Sequence, residues 1–284
     1  MPKLSGFLEK FLYSNLIIAG AAAFYTSEYY LVFGREFNWH YLWFVCFVSL
    51  AHYNLHRLVG LLLDHPIPYN ERLDAIERNT LLQGVFLAIG GTGASYLFIS
   101  QSWFKEPVFY LPVALGLLYT LPIIGIRLRD IAFFKTFFIG ATWMAVAVFI
   151  PAVLDQRTEQ GLWLYAFEKF SFIVAITFPF DLRDIQRDLH TETRTIANQF
   201  GYRTVMEWCA IFFVISQFCH YQLFLLHVYN KITALTLIVF NALCYIIILI
   251  GCRKPRKDVF YLGILDGLIV IQGVIYLLLY NMST

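Results

Sequence analysis

Nine stretches of mostly apolar residues, each near the length of a bilayer crossing, run through this 284-residue chain and constrain its fold more than any motif does. They cover roughly 11–33, 39–63, 79–100, 107–124, 136–154, 161–180, 204–227, 232–252 and 259–280. A helix needs about 20 such residues to cross the hydrocarbon core. Lipid offers no partner to a backbone N–H or C=O, so each crossing must satisfy its own hydrogen bonds. Only 14% of the residues are charged and the mean hydropathy is +0.64, whereas soluble domains are roughly a quarter charged. The expectation is an all-α integral membrane protein of nine transmembrane helices, with residues 1–284 forming one polytopic domain. The first run follows only Lys3 and Lys10 and lacks a small-residue cleavage site, so it is read as a retained helix.

Charge placement gives the orientation. With a cytoplasmic N-terminus, the inward segments hold 16 of the 21 Lys and Arg residues, and the outward ones hold Arg35, Lys105, Arg157 and Lys231. That asymmetry follows the positive-inside rule and predicts a C-terminus on the opposite side. Cys46, Cys209, Cys219, Cys244 and Cys252 form no CxxC pair and are read as small packing residues. Ionisable groups inside spans are costly. Of these, Glu168 and Lys169 lie toward the outer end of the sixth span, where they can snorkel; Glu207 is read as interfacial, while Glu28 and Asp266 have no assigned role.

Just after the sixth apolar run, residues 178–201 read FPFDLRDIQRDLHTETRTIANQFG. On a helix, Asp181, Asp184 and Asp188 stack on one face within an arc of roughly 60°. Two readings stand. Three like charges can gather around Mg²⁺, which takes one or two carboxylates plus substrate phosphates; or they can be the solvated face of an amphipathic helix with Arg183 and Arg187 projecting from its other side.

The motif DxxDxxxD, here Asp181, Asp184 and Asp188, followed by Thr195 and Gly201, resembles the second aspartate-rich motif of the UbiA superfamily of intramembrane prenyltransferases. A second block, YTLPIIGIRLRDIAFFKTFFIG, is similar to the family's fourth-to-fifth helix segment, with Tyr119, Pro122, Arg127, Arg129, Lys135 and Gly140 at its tyrosine, proline, basic and glycine positions. The resemblance implies a UbiA-like helical bundle with a cavity on the cytoplasmic side. It also implies Mg²⁺-dependent transfer of a prenyl group from a prenyl diphosphate to a lipophilic, aromatic acceptor. Asp181, Asp184 and Asp188 would then hold the metal, Arg127 would act with them in catalysis, and Asn54, Arg57, Arg72, Tyr119, Arg127, Arg129 and Lys135 would bind the diphosphate. The expected partners are that donor, the acceptor and the bilayer, with no nucleic acid, and the expected location is a bacterial inner membrane.

The chain departs from the family at the first aspartate-rich motif, NDxxDxxxD. It has AHYNLHRLVGLLLDHPIPYNERLD there, with Asn54 the nearest match and Asp64 and Asp74 the remaining acids. Half of the implied metal cradle is missing. His52 and His56 could add hydrogen bonds but are read first as polar packing groups between helices. A degenerate relative that binds isoprenoids or lipids without turnover is the alternative. A transporter finds no support, since neither inverted repeats nor paired broken helices are present in the sequence.

Overall fold

The computed structural model describes residues 6–63, 71–122, 128–156, 159–254 and 256–283, and every regular element among them is helical. The chain opens with α1 (Gly6–Tyr13) and α2 (Leu16–Val32), bent by 45° at their junction, and continues through α3 (Trp39–Leu63), α4 (Glu71–Arg78) and α5 (Thr80–Ser100). A shorter α6 (Tyr110–Thr120) follows. Next, α7 (Lys135–Met144) passes through a π turn at Ala145–Phe149 into α8 (Ile150–Leu154), making one span. The long α9 (Leu162–His190), α10 (Ile196–Leu225) and α11 (Lys231–Gly251) come next, and a π segment at Val259–Leu265 leads into α12 (Asp266–Ser283).

Seven helices among the described residues are long and apolar enough to cross a membrane, or eight if bent α1–α2 counts as one crossing. The all-helical membrane fold is as expected, and the described residues do not confirm the count of nine. The fourth apolar run yields only the helical stretch Pro107–Thr120, which at 1.5 Å per residue reaches about 20 Å against a hydrocarbon core of about 30 Å.

At the centre stands α9, with 72% of its apolar window buried against 17–44% for the other spans. It packs on α7 and α10, α2 lies between α3 and α12, and α3 pairs with α5. That last pairing is unusually close: a Cβ on Gly90 would come within 2.7 Å of the Ala51 nitrogen and the Phe47 carbonyl, so only glycine lets these backbones meet.

In the half of the bundle away from the aspartate motif lies a buried polar cluster. The Lys169 ammonium donates to Glu28, lies 3.2 Å from Glu168, and is ringed by Tyr25, Tyr165 and Tyr276 at 4.6, 5.0 and 4.6 Å from their ring centres. Ser216 donates to Glu168 at 3.1 Å and itself accepts from Asn241 at 2.8 Å. Snorkelling of Glu168 and Lys169 is thus overturned: both are wholly buried, because helices on every side of α9 close off any route to water. By contrast, Glu207 pairs with Arg203 at 3.0 Å on an exposed surface, as an interfacial residue would.

Candidate functional site

Pro179 interrupts the hydrogen-bond ladder of α9 just before Asp181, yet the helix runs on to His190. Beyond it, Asp181, Asp184 and Asp188 share one face and all three are buried. The solvated-face reading fails on that burial. Removing three carboxylates from water demands compensation, which comes from neighbouring cations and hydroxyls. Lys135, at the first position of α7, places its Nζ 2.8 Å from Asp181 Oδ1 and 3.3 Å from Asp188 Oδ2. The next residue, Thr136, donates to Asp181 Oδ2 at 3.1 Å. Arg183, next to Asp184 in the chain, grips it through Nε at 2.8 Å and Nη2 at 3.1 Å.

Facing this cluster, α3 contributes His56. Arg129, in the single 3₁₀ turn Leu128–Asp130, is buried with its Nη1 3.0 Å from His56 Nε2. A guanidinium can only donate, so Nε2 must be the unprotonated nitrogen and the ring proton sits on Nδ1, which lies 3.5 Å from the Thr120 hydroxyl. Tyr119 packs on His56 and stacks on Phe138, and its hydroxyl lies within electrostatic reach of Arg129, Lys135, Asp181 and Arg187. The structure therefore brings Tyr119, Arg129, Lys135, Asp181 and Asp188 together. His56 is, as the sequence reads it, a polar group between helices, whereas Thr136 is not singled out by the sequence.

A second charged group lies on the other flank of α9. Arg183 reaches Asp258 at 3.8 Å, Asp258 accepts from the Tyr13 hydroxyl at 2.5 Å, and Arg57 both donates to the Tyr13 carbonyl at 2.9 Å and lies over the Tyr13 ring. Asp266, buried at the start of α12, feels both Arg183 and Arg57. This is the partner set that the sequence could not supply for Asp266, and it is where Arg57 belongs. Asn54 is engaged within the bundle: its amide donates to the Ser14 and Leu50 carbonyls at 3.1 and 2.7 Å and accepts from Asn15 at 2.9 Å, tying α3 to the α1–α2 bend. Arg127 and Asp64 lie outside the described residues, as does the Arg72 side chain.

The loop after α9 is stitched over the first cluster. Thr193 donates its N–H to the Asp188 carbonyl at 2.8 Å and its hydroxyl to Asp130 at 3.3 Å, while Phe133 N–H donates to the Arg194 carbonyl at 3.0 Å. Thr195 then starts α10 with a reciprocal cap to Asn198, at 3.3 and 2.9 Å. Gly201, at φ +78°, lets the chain turn from this capping segment into the long membrane helix. These are the structural uses of the motif's threonine and glycine. Between loop and cluster remains a cavity of about 10 Å³ bounded by Phe133, Lys135, Thr136, Phe178, Asp181, Thr195 and Ile196, room for about one water. A larger groove of about 500 Å³, walled by Trp39, Trp43, Phe47 and Tyr96, lies at the far end of α3, some 20 Å along the helix from His56.

The sequence profile of the UbiA prenyltransferase family matches residues 64–260. The chain belongs to the UbiA prenyltransferase family. No curated protein matches it at significance. Among solved structures, the apo UbiA homolog from Aeropyrum pernix K1 superposes with a TM-score of 0.68 at 11% identity, covering 93% of this chain and 98% of that one. A UbiA homolog from Archaeoglobus fulgidus bound to GPP and Mg²⁺ gives 0.59 at 14% identity over 93% and 99%, and its form bound to DMAPP and Mg²⁺ gives 0.58 at 13% over 93% and 98%. At these identities the likeness establishes the UbiA fold, and with its apolar helices makes this a multi-pass membrane protein.

Where the expected Mg²⁺ would bridge Asp181 and Asp188, this chain places its own Lys135 ammonium, while Asp181 Oδ1 and Asp188 Oδ1 keep no hydrogen-bond partner. Among the described residues no three His, Cys, Asp or Glu side chains are gathered so that they could hold a metal ion. The reason is visible in the contacts: the Lys135 ammonium stands between Asp181 and Asp188, and Arg183 takes Asp184. The opposing helix α3 offers His52, Asn54 and His56 where the family's first motif would set aspartates.

Proposed function

We propose that this chain binds a prenyl diphosphate at the Arg129–Lys135–Asp181–Asp188 cluster and transfers the prenyl group to a lipophilic, aromatic acceptor. The allylic C–O bond breaks, its electron pair leaves with the diphosphate, the acceptor's electrons form the new C–C or C–O bond, and the acceptor loses a proton. Negative charge grows on the leaving group, and preorganised cations in a water-poor site stabilise it far better than they would in bulk water. The observation that carries the reading is the buried Arg129, held by His56 at 3.0 Å and, with Lys135, acting electrostatically on Tyr119. An arginine clasps phosphate oxygens through parallel hydrogen bonds, which suits it to that task. In this reading the cluster faces the cytoplasm of a bacterial inner membrane, with the N-terminus on the same side and the C-terminus opposite.

One observation favours a second reading, in which isoprenoids bind without turnover: Asn54, the residue nearest the family's first motif, spends its amide on Ser14, Leu50 and Asn15. The deciding experiment is radiolabelled prenyl transfer in membranes, run with several donor lengths and a panel of aromatic acceptors. Transfer that Arg129→Ala abolishes supports the enzyme. Binding of labelled donor without product from any pair supports the non-catalytic relative.

A further inference from the structure

The three aspartates of α9 carry three negative charges into a buried site, and the chain meets them with its own cations. Lys135 is itself buried, its ammonium 2.8 Å from Asp181 Oδ1 as an ion pair and donating to Asp188 Oδ2 at 3.3 Å. Arg183 closes on Asp184 with two hydrogen bonds, and Arg129 acts on Asp188 from the α3 side. A divalent ion placed among these carboxylates would have to expel the ammonium, leaving a desolvated Lys135 without its partners, a strongly unfavourable exchange. Mg²⁺ also demands near-octahedral oxygen ligands at about 2.0–2.1 Å. Asp181 and Asp188 are instead spaced around a nitrogen at 2.8 and 3.3 Å.

We propose that Lys135 is the resident cation of this site, its ammonium standing where a divalent ion would otherwise bridge Asp181 and Asp188. A prenyl diphosphate is then held by Arg129 and by an N–H of Lys135 not given to Asp188, with Arg187 adding positive charge that also acts on Tyr119, and metal is dispensable for its binding. This rests on the reading that the site takes a prenyl diphosphate, so the test separates the two.

The full-length protein in detergent is titrated with labelled geranyl diphosphate (GPP) in EDTA and in millimolar Mg²⁺, and separately with Mn²⁺ alone, followed by electron paramagnetic resonance. The wild type is expected to bind GPP with affinities within about threefold in the two conditions, and to hold no Mn²⁺ tightly in the absence of GPP. Lys135→Met is expected to lose tenfold or more of its GPP affinity in EDTA, to recover part of it with Mg²⁺, and to gain a Mn²⁺ site at the released carboxylates. A tenfold or greater loss of wild-type affinity in EDTA, or a stoichiometric Mn²⁺ site in the wild type, overturns the proposal. These wild-type measurements decide it even if Lys135→Met does not fold. Failure of GPP to bind in either condition sinks the prenyl diphosphate reading instead, while the Mn²⁺ titration still decides whether Lys135 occupies the cation position.

Discussion

Lys169→Met tests whether the buried charge cluster in the far half of the bundle holds α2 to α9. Methionine keeps most of the side-chain volume and removes the ammonium, leaving the Glu28 and Glu168 carboxylates with no cation inside a region of zero exposure. Breaking one partner of a buried ion pair costs about 3–5 kcal/mol. The three tyrosine rings at 4.6–5.0 Å also lose a cation–π contact worth roughly 0.5–2 kcal/mol, part of which overlaps the first figure. For a chain of this size about 2–4 °C accompanies each kcal/mol, so the unfolding midpoint should fall by on the order of 10 °C. Tryptophan fluorescence of purified protein in a single detergent reads the shift. Glu28→Gln alone keeps Glu168 beside Lys169 and should cost less, about 1–3 kcal/mol. Combined with Lys169→Met it should recover at least 1 kcal/mol relative to additivity, because it removes one of the stranded charges. A Lys169→Met midpoint within 2 °C of wild type, or a double variant that loses the full sum of the single effects, would refute the reasoning.

Gly90→Ala should lower the midpoint by the equivalent of about 1–3 kcal/mol, since its Cβ meets backbone atoms at 2.7 Å that cannot swing aside; a parallel scan of Gly91, which has open space, should show no such loss. Asn54→Leu should destabilise the α1–α2 bend while leaving GPP affinity nearly unchanged, a pairing of results that a ligand-binding asparagine would not give. His56→Leu should weaken GPP binding by releasing Arg129, and His56→Gln, which retains an acceptor, should restore part of it. For orientation, a single cysteine at exposed Glu192 in a cysteine-free background should react with an impermeant thiol reagent only after lysis, and labelling in intact cells would reverse the assignment.

Helical period alone put Asp181, Asp184 and Asp188 on one face, and their burial bears out that geometry. Tyr119, Arg129 and Lys135 are singled out by the resemblance of the second block to a family segment, and the structure brings them to one junction. What spacing could not tell was which cations the aspartates meet. The bond from Lys135 to Asp188 joins positions 53 residues apart, and the approach of Arg183 to Asp258 depends on how α11 and α12 return beside α9. Apolar patterning located the membrane segments, though in the run at 107–124 the described helix, Pro107–Thr120, is shorter than the other spans. The patterning misjudged Glu168 and Lys169, because depth along one helix says nothing of the neighbours that surround it. For Asn54, a motif position shows where a residue stands in the chain and not that its amide holds the α1–α2 bend.

The central claim is that this UbiA-family chain receives a diphosphate at the cationic cluster beside α9. A structure of the protein bound to GPP tests it most directly. The account predicts phosphate density within hydrogen-bonding distance of Arg129 and Lys135, beside the Tyr119 hydroxyl, with the prenyl chain directed into the bundle. Density for the diphosphate anywhere else, or Arg129 still directed only to His56 with GPP bound, would contradict it.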